Sequence, residues 1–260
     1  MRLPVAPNRE LGQHFLVDEN ILGVIGRLAE VGPEDVVLEV GAGLGILTGY
    51  LADRVRLVHA VELDRGLEPH LRERLADSPN VELLLGDALA LPLGALNPPP
   101  GKLVANLPYQ IATPLVAESL DGLPTIDLWC VMVQREVADR FFAEPRTKSY
   151  GAVSVLLQLT AERAGFHPVG RTVFNPPPNV ESALVAFRRI RRWGPEFGHL
   201  KEIVQGAFGH RRKTLANSLA LAGRERPRVE AALESMGVPP TARAEALEPA
   251  QFVELAEQLP

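Results

Sequence analysis

Between Val36 and Val133, short apolar runs alternate with amphipathic stretches, and this alternation limits the fold more than any other feature. Val36–Val40, Leu57–Glu62, Val81–Leu85, Leu103–Ala105 and Asp127–Val133 are predicted strands; Leu44–Arg54 and Arg65–Ala76 are predicted helices. The strand runs are apolar throughout and partly β-branched, as a parallel sheet covered on both faces requires. The pattern predicts an α/β protein with a doubly wound sheet. A helix is predicted over 20–30, ended by Gly32-Pro33, and Glu181–Phe187 reads as a last strand closing the sheet domain. From about residue 196 the spacing is helical only, with breaks near Gly223 and Gly237–Pro240. Two domains are therefore expected, a sheet domain over 1–190 and a small all-helical domain over 191–260.

The turn after the first strand of this sheet reads Glu39-Val40-Gly41-Ala42-Gly43-Leu44-Gly45. Glycines there permit a tight turn and let backbone approach a ligand closely. A dinucleotide fingerprint needs G-x-G-x-x-G, with pyrophosphate at the helix N-terminus. Here the third glycine is Gly45 and position 46 is Ile, so the spacing is G-x-G-x-G. That fits better with S-adenosylmethionine, which carries no phosphate. Glu62 ends the second strand, where a carboxylate can accept from both ribose hydroxyls. Gly86-Asp87-Ala88 ends the third strand, where Asp87 can accept from an adenine amine. Each piece alone is common; their order at the carboxyl ends of successive strands is what points to one cofactor site.

After the fourth strand stands Asn106-Leu107-Pro108-Tyr109. An exocyclic base amine is a poor nucleophile because its lone pair is delocalised into the ring. Two acceptors aimed at its N–H groups localise that pair. The Asn106 side-chain carbonyl and the Leu107 backbone carbonyl can serve as those acceptors. Pro108 holds Leu107 extended and brings no N–H to compete, and Tyr109 offers a stacking face. A strand-ending turn with a half-buried Tyr uses the same residues, so the tetrapeptide alone does not decide between the two readings.

Of the 260 residues, 46% are hydrophobic and 23% charged, enough apolar content for a sizeable core. No stretch approaches the ~18 apolar residues of a membrane span, and the start, Met1–Pro7, lacks the apolar run of a signal peptide. Cys130 is the only cysteine, which excludes an intramolecular disulfide and a cysteine-based zinc site and fits a reducing cytoplasm. The net charge of −5 is unevenly distributed: residues 185–228 hold eleven Lys and Arg against three Glu. Arg188, Arg189, Arg191 and Arg192, with Arg211, Arg212 and Lys213, are candidates for a phosphate-binding patch. Arg211 to Lys213 are expected on a helix anchored by Leu215 and Leu219.

With these blocks in order, the chain resembles the rRNA adenine N6-dimethyltransferases along nearly its whole length, and the small-subunit branch more than the antibiotic-resistance branch. Leu11–Asp18 is similar to that family's N-terminal cofactor loop, although many members carry Asn where this chain has His14 and Phe where it has Leu11. Val133–Arg140 and Lys148–Gly151 look like the segment after strand five, and Phe174–Ser182 looks like the F-x-P-x-P-x-V-x-S loop. The resemblance implies a Rossmann-like class I methyltransferase fold using S-adenosylmethionine and no metal. It places Gln13, His14, Leu16, Glu39, Gly41 and Gly43 at the cofactor, together with Glu62, Leu63, Asp87, Ala88 and Asn106. It implies a catalytic group of Asn106, Leu107, Pro108, Tyr109 and Phe174, with Phe174 facing Tyr109 across the base. RNA contacts are expected from Arg188, Arg189, Arg211, Arg212 and Lys213. The implied product is dimethyladenosine at two adjacent positions in a 3′-terminal hairpin of small-subunit rRNA, made on the immature 30S subunit by a cytoplasmic monomer.

Two other readings stay open. A DNA adenine methyltransferase shares the Asn-x-Pro-aromatic chemistry, but the chain has no large target-recognition insertion. A non-enzymatic role in ribosome assembly or transcription is the second; the glycine loop and Asn106 favour an active site. A dehydrogenase is disfavoured by the glycine spacing.

Overall fold

The computed structural model describes residues 3–8 and 11–259; Met1 and Arg2 of the N-terminal stretch lie outside them. The strands are β1 (Phe15–Leu16), β2 (Val36–Val40), β3 (Leu57–Glu62), β4 (Val81–Leu85), β5 (Lys102–Asn106), β6 (Leu128–Gln134), β7 (Ala161–Val169), β8 (Phe174–Asn175) and β9 (Ser182–Arg189). The helices are α1 (Glu19–Leu28), α2 (Ile46–Ala52), α3 (Glu68–Arg74), α4 (Ala112–Gly122), α5 (Arg135–Phe141), α6 (Ala152–Thr160), α7 (Glu196–Phe208), α8 (Leu215–Leu221), α9 (Arg226–Ser235) and α10 (Pro249–Gln258). Among the described residues no helix is long and apolar enough to cross a membrane.

The chain divides into two compact units, residues 1–138 with 163–189, and residues 139–162 with 190–260. The segment 139–162 thus groups with the C-terminal helices, where its Tyr150 hydroxyl donates to Leu247 O at 3.0 Å and its ring meets Phe208 edge-on at 5.7 Å.

In the first unit, seven strands form one sheet in the order β4-β3-β2-β5-β6-β9-β7. β2 to β6 run parallel, and β9 runs antiparallel to β6, from Leu128 opposite Arg188 to Gln134 opposite Ser182. All five residues of β2 are buried, so both of its alternating side-chain sets are covered. On one face Val37, Val104 and Met132 pack with Ile25 of α1 and Leu51 of α2. Cys130 shares that core, and burial pushes its thiol up to about 12, which leaves it protonated and inert.

Strand order reverses between β2 and β5: the chain proceeds from β2 outward to β3 and β4, then returns to the other side of β2. In open α/β sheets, ligands bind at the carboxyl ends of the strands beside such a reversal. The glycine turn follows β2, and Asn106 ends β5, so this topology puts both at that crevice.

Candidate active site

At the crevice, Gly41 has φ +84° and Gly43 φ +57°, a backbone that side-chain-bearing residues rarely adopt. A Cβ on Gly41 would lie 3.1 Å from Pro108 Cδ, and one on Gly43 3.3 Å from Phe15 Cδ1. The turn is thus bare backbone pressed against the Asn106–Tyr109 loop at Gly41 and against Phe15 at Gly43. That loop is itself fastened to the sheet: Leu107 N donates to Met132 O at 3.1 Å, and Ile111 N donates to Pro108 O at 3.1 Å as the chain enters α4.

A cavity of about 330 Å³ opens here. From the N-terminal loop it is lined by Gln13, His14 and Leu16; from the β2 turn by Glu39, Gly41 and Gly43; from the ends of β3 and β4 by Glu62, Leu63, Asp87 and Ala88. Asn106, Leu107, Pro108, Tyr109 and Phe174 complete it, so every residue placed at the cofactor or the chemistry by sequence meets in one cavity. The size suits a ligand of cofactor dimensions.

Glu62 is 6% exposed and rigidly oriented: its Oε2 accepts from Gly43 N and its Oε1 from Asp64 N, both at 2.8 Å. Each oxygen keeps a further lone pair, the arrangement that accepts a vicinal pair of hydroxyls. Burial raises its pKa, opposed by those backbone hydrogen bonds. Asp87 caps its own turn, Oδ1 accepting from Leu89 N at 2.9 Å.

Glu39 is fully enclosed, and neither its Oε2 nor the nearby Thr48 Oγ1 has a hydrogen-bond partner. Burial pushes the Glu39 carboxyl up from the usual 4.5 to about 8; Thr48 lies close enough to moderate the rise, and Glu62 adds to it. The folded state therefore holds a proton that the unfolded chain releases above pH 4.5, so this group's contribution to stability falls as pH rises from about 4.5 to about 8. Glu39→Gln, an isostere of the neutral acid, is expected to melt on the order of 5 °C above wild type at pH 8 and level with it near pH 4. Thermal melts across that range check it.

The N-terminal loop is tied down. Phe15 and Leu16 of β1 pair with Asn175 and Phe174 of β8, and Gln13 Nε2 donates to Asp64 Oδ2 at 2.8 Å. Gln13 is thereby a clamp on the loop, and Asp64, two residues past Glu62, is a partner that sequence reasoning did not single out. His14 Nδ1 lies 2.8 Å from Pro176 O; that carbonyl only accepts, so Nδ1 carries the hydrogen. The His14 ring lies 6.0 Å from that of Tyr109, and the Tyr109 hydroxyl is 2.7 Å from Ser182 Oγ. Phe174 is 3% exposed and belongs to the hydrophobic core as well as to the cavity wall.

The basic residues divide differently from expectation. Arg189 is 9% exposed, and its guanidinium donates to Ile126 O, Leu120 O and Leu123 O at 2.6–3.2 Å. It holds the end of α4 and the loop beyond it, and cannot also reach a phosphate. Arg188 points outward, paired with Glu30 at 2.7 Å. Arg211, Arg212 and Lys213 lie in the turn before α8, not on a helix, because α8 begins only after Thr214, whose Oγ1 accepts from Asn217 N at 3.4 Å. Arg211 is engaged with Lys148 O, Tyr150 O and Glu245, whereas Arg212 and Lys213 are exposed.

The fold and the cavity at its strand reversal are those of a class I methyltransferase. Solved structures agree: the 23S rRNA methyltransferase ErmE is 34% identical with TM-score 0.65, covering 94% of this chain and 99% of its own. A dimethyladenosine transferase from Plasmodium falciparum shares the fold with TM-score 0.74 at 23% identity, over 93% of this chain and 96% of its own. The ribosomal RNA small subunit methyltransferase A of Rubrobacter xylanophilus is 46% identical over 253 residues, 97% of this chain and 95% of that protein. The ribosomal RNA adenine dimethylase family matches residues 6–260, and the chain belongs to that family.

Proposed function

We propose that this methyltransferase dimethylates N6 of two adjacent adenosines in a 3′-terminal hairpin of small-subunit rRNA, acting on the immature 30S subunit in the cytoplasm as a monomer. The observation that carries the chemistry is the joining of the glycine turn, Glu62 and Asn106–Tyr109 around one cavity. The small-subunit assignment is supported by the relative at 46% identity, named small subunit methyltransferase A, against 34% for the 23S enzyme.

S-adenosylmethionine fits the cavity and, when bound, supplies an electrophilic sulfonium methyl. Glu62 is set to hold ribose hydroxyls through its fixed carboxylate, and Asp87 and Ala88 to meet the adenine beside the exposed Leu63. The turn at Gly41 and Gly43 presents backbone to the cavity for the amino-acid end, with Glu39, His14 and Leu16 also in the lining. The chain's own part in the chemistry is position and hydrogen bonding. Asn106 Oδ1 and Leu107 O accept from the two N–H groups of the target amine in the first transfer and from its one remaining N–H in the second, localising the lone pair. Each transfer breaks the sulfonium–methyl bond and leaves a neutral thioether, and the cationic nitrogen releases its proton to solvent. Tyr109 supplies the face on which the flipped base stacks, and Phe174 supplies the second aromatic surface, offsetting part of an unstacking cost of a few kcal/mol. Arg212 and Lys213, with Arg188, Arg191 and Arg192, supply cationic contacts to phosphates. A parallel assay with duplex DNA and with immature small subunits tests the substrate class. Methyl transfer to the subunits alone is expected; equal or greater transfer to DNA would overturn the rRNA assignment.

A further inference from the structure

Tyr109 stands three residues beyond the end of β5, in a loop, yet its ring is not left to a loop's freedom. Its hydroxyl is 2.7 Å from Ser182 Oγ. Ser182 is 1% exposed and opens β9, where it pairs with Gln134 of β6; the next residue back, Glu181, accepts from Arg135 N at 2.9 Å. The same β6 pairs its Met132 with Asn106 of β5. The bond at the far end of the ring therefore ties Tyr109 to the sheet that carries Asn106.

A tyrosine ring has two side-chain torsions, and a bond at the hydroxyl restricts both at once. Burial favours the neutral phenol, opposed by the hydrogen bond with Ser182. We infer that Ser182 is a positioning residue: through the Tyr109 hydroxyl it fixes the ring plane on which the target adenine stacks, and so aligns the amine with Asn106. The inference rests on the proposed stacking role of Tyr109. Without the bond the ring reorients at each encounter, and the loss falls on the chemical step. Capture of RNA depends mainly on phosphate contacts and is left unchanged.

The test is a double-mutant cycle of Ser182→Ala and Tyr109→Phe, each removing one end of the bond, read as kcat, KM for rRNA and KM for S-adenosylmethionine. Either single variant is expected to lower kcat about tenfold, with both KM values unchanged and the double variant no worse than the singles. Wild-type kcat in both singles, losses that multiply in the double, or a loss carried by KM would overturn the inference. Should Ser182→Ala prove poorly folded in a thermal melt, Tyr109→Phe decides alone, since it removes the same bond from the half-buried side. Tyr109→Ala separates the two levels. Wild-type turnover in that variant ends the stacking reading itself; collapse there with silent Ser182→Ala and Tyr109→Phe ends only the positioning role.

Discussion

Asn106→Ala is expected to lower single-turnover methyl transfer by about 100-fold or more, while changing the affinity for S-adenosylmethionine only a few-fold. The residue ends β5, paired with Met132, so its backbone is held by the sheet whatever its side chain. What alanine removes is one of two acceptors facing the amine. The Leu107 carbonyl remains, but in the first transfer a single acceptor leaves the lone pair more delocalised into the ring, and in the second, where one N–H is left, the choice between two acceptors is lost. Removing one preorganised polar partner of a transition state costs roughly 3–4 kcal/mol in comparable sites. Asn106→Asp presents acceptors only, and is expected to retain more activity than alanine if acceptance is the function. Wild-type-like transfer by the alanine variant would remove the proposed role. Single-turnover kinetics paired with calorimetric titration of the cofactor makes the separation.

The second large effect is on stability. Arg189→Ala is expected to destabilise the protein by roughly 3 kcal/mol or more, because several carbonyls lose a charged donor together and are left buried. The guanidinium also lies over the Trp129 ring, 4.8 Å from its centroid, and Trp129 stacks on Phe187 at 5.1 Å, so the truncation opens a gap beside the largest aromatic pair of the sheet. Arg188→Ala, one residue away, breaks only an exposed ion pair with Glu30 and is expected to cost under about 1 kcal/mol. Denaturant melts of the two variants give the contrast. Equal, small losses in both would mean that Arg189 is not held as described.

That neighbouring pair shows where sequence reading stops. Arg188-Arg189-Ile190-Arg191-Arg192 reads as one solvated basic run, yet 188 and 189 sit on a strand, where consecutive side chains face opposite ways. Ser182–Phe187 are all buried, so the strand's alternation separates Arg188 from Arg189, but which of the two faces is covered at its end comes only from the structure. The parallel core was legible because β2 to β6 are short apolar runs with turn signals between them. β7 was not, because Ala161-Glu162-Arg163-Ala164-Gly165-Phe166 lies at the sheet edge with mostly exposed or half-exposed residues and shows no apolar alternation. The helix expected over Arg211–Lys213 from its anchors Leu215 and Leu219 starts later: both leucines are in α8, and the Thr214 cap leaves the basic residues in the turn before it. Glu62, Asp87 and Asn106 were legible for a different reason: each closes or follows a strand of the main sheet, and strand ends in a doubly wound sheet converge, whereas Gln13, His14, Leu16 and Phe174 lie outside that sheet and came only from the family resemblance. What links the cavity residues was not legible. The Gln13–Asp64 clamp and the Tyr109–Ser182 bond join residues 51 and 73 positions apart, through contacts no local pattern reports.

The most direct measurement is methyl transfer from labelled S-adenosylmethionine to purified immature small subunits, with the modified nucleosides identified and located by mass spectrometry. The expected result is N6,N6-dimethyladenosine at two adjacent positions near the 3′ end of the small-subunit rRNA, absent with Asn106→Ala. No N6,N6-dimethyladenosine in the subunits, or methylation only at an atom other than adenine N6, would contradict it.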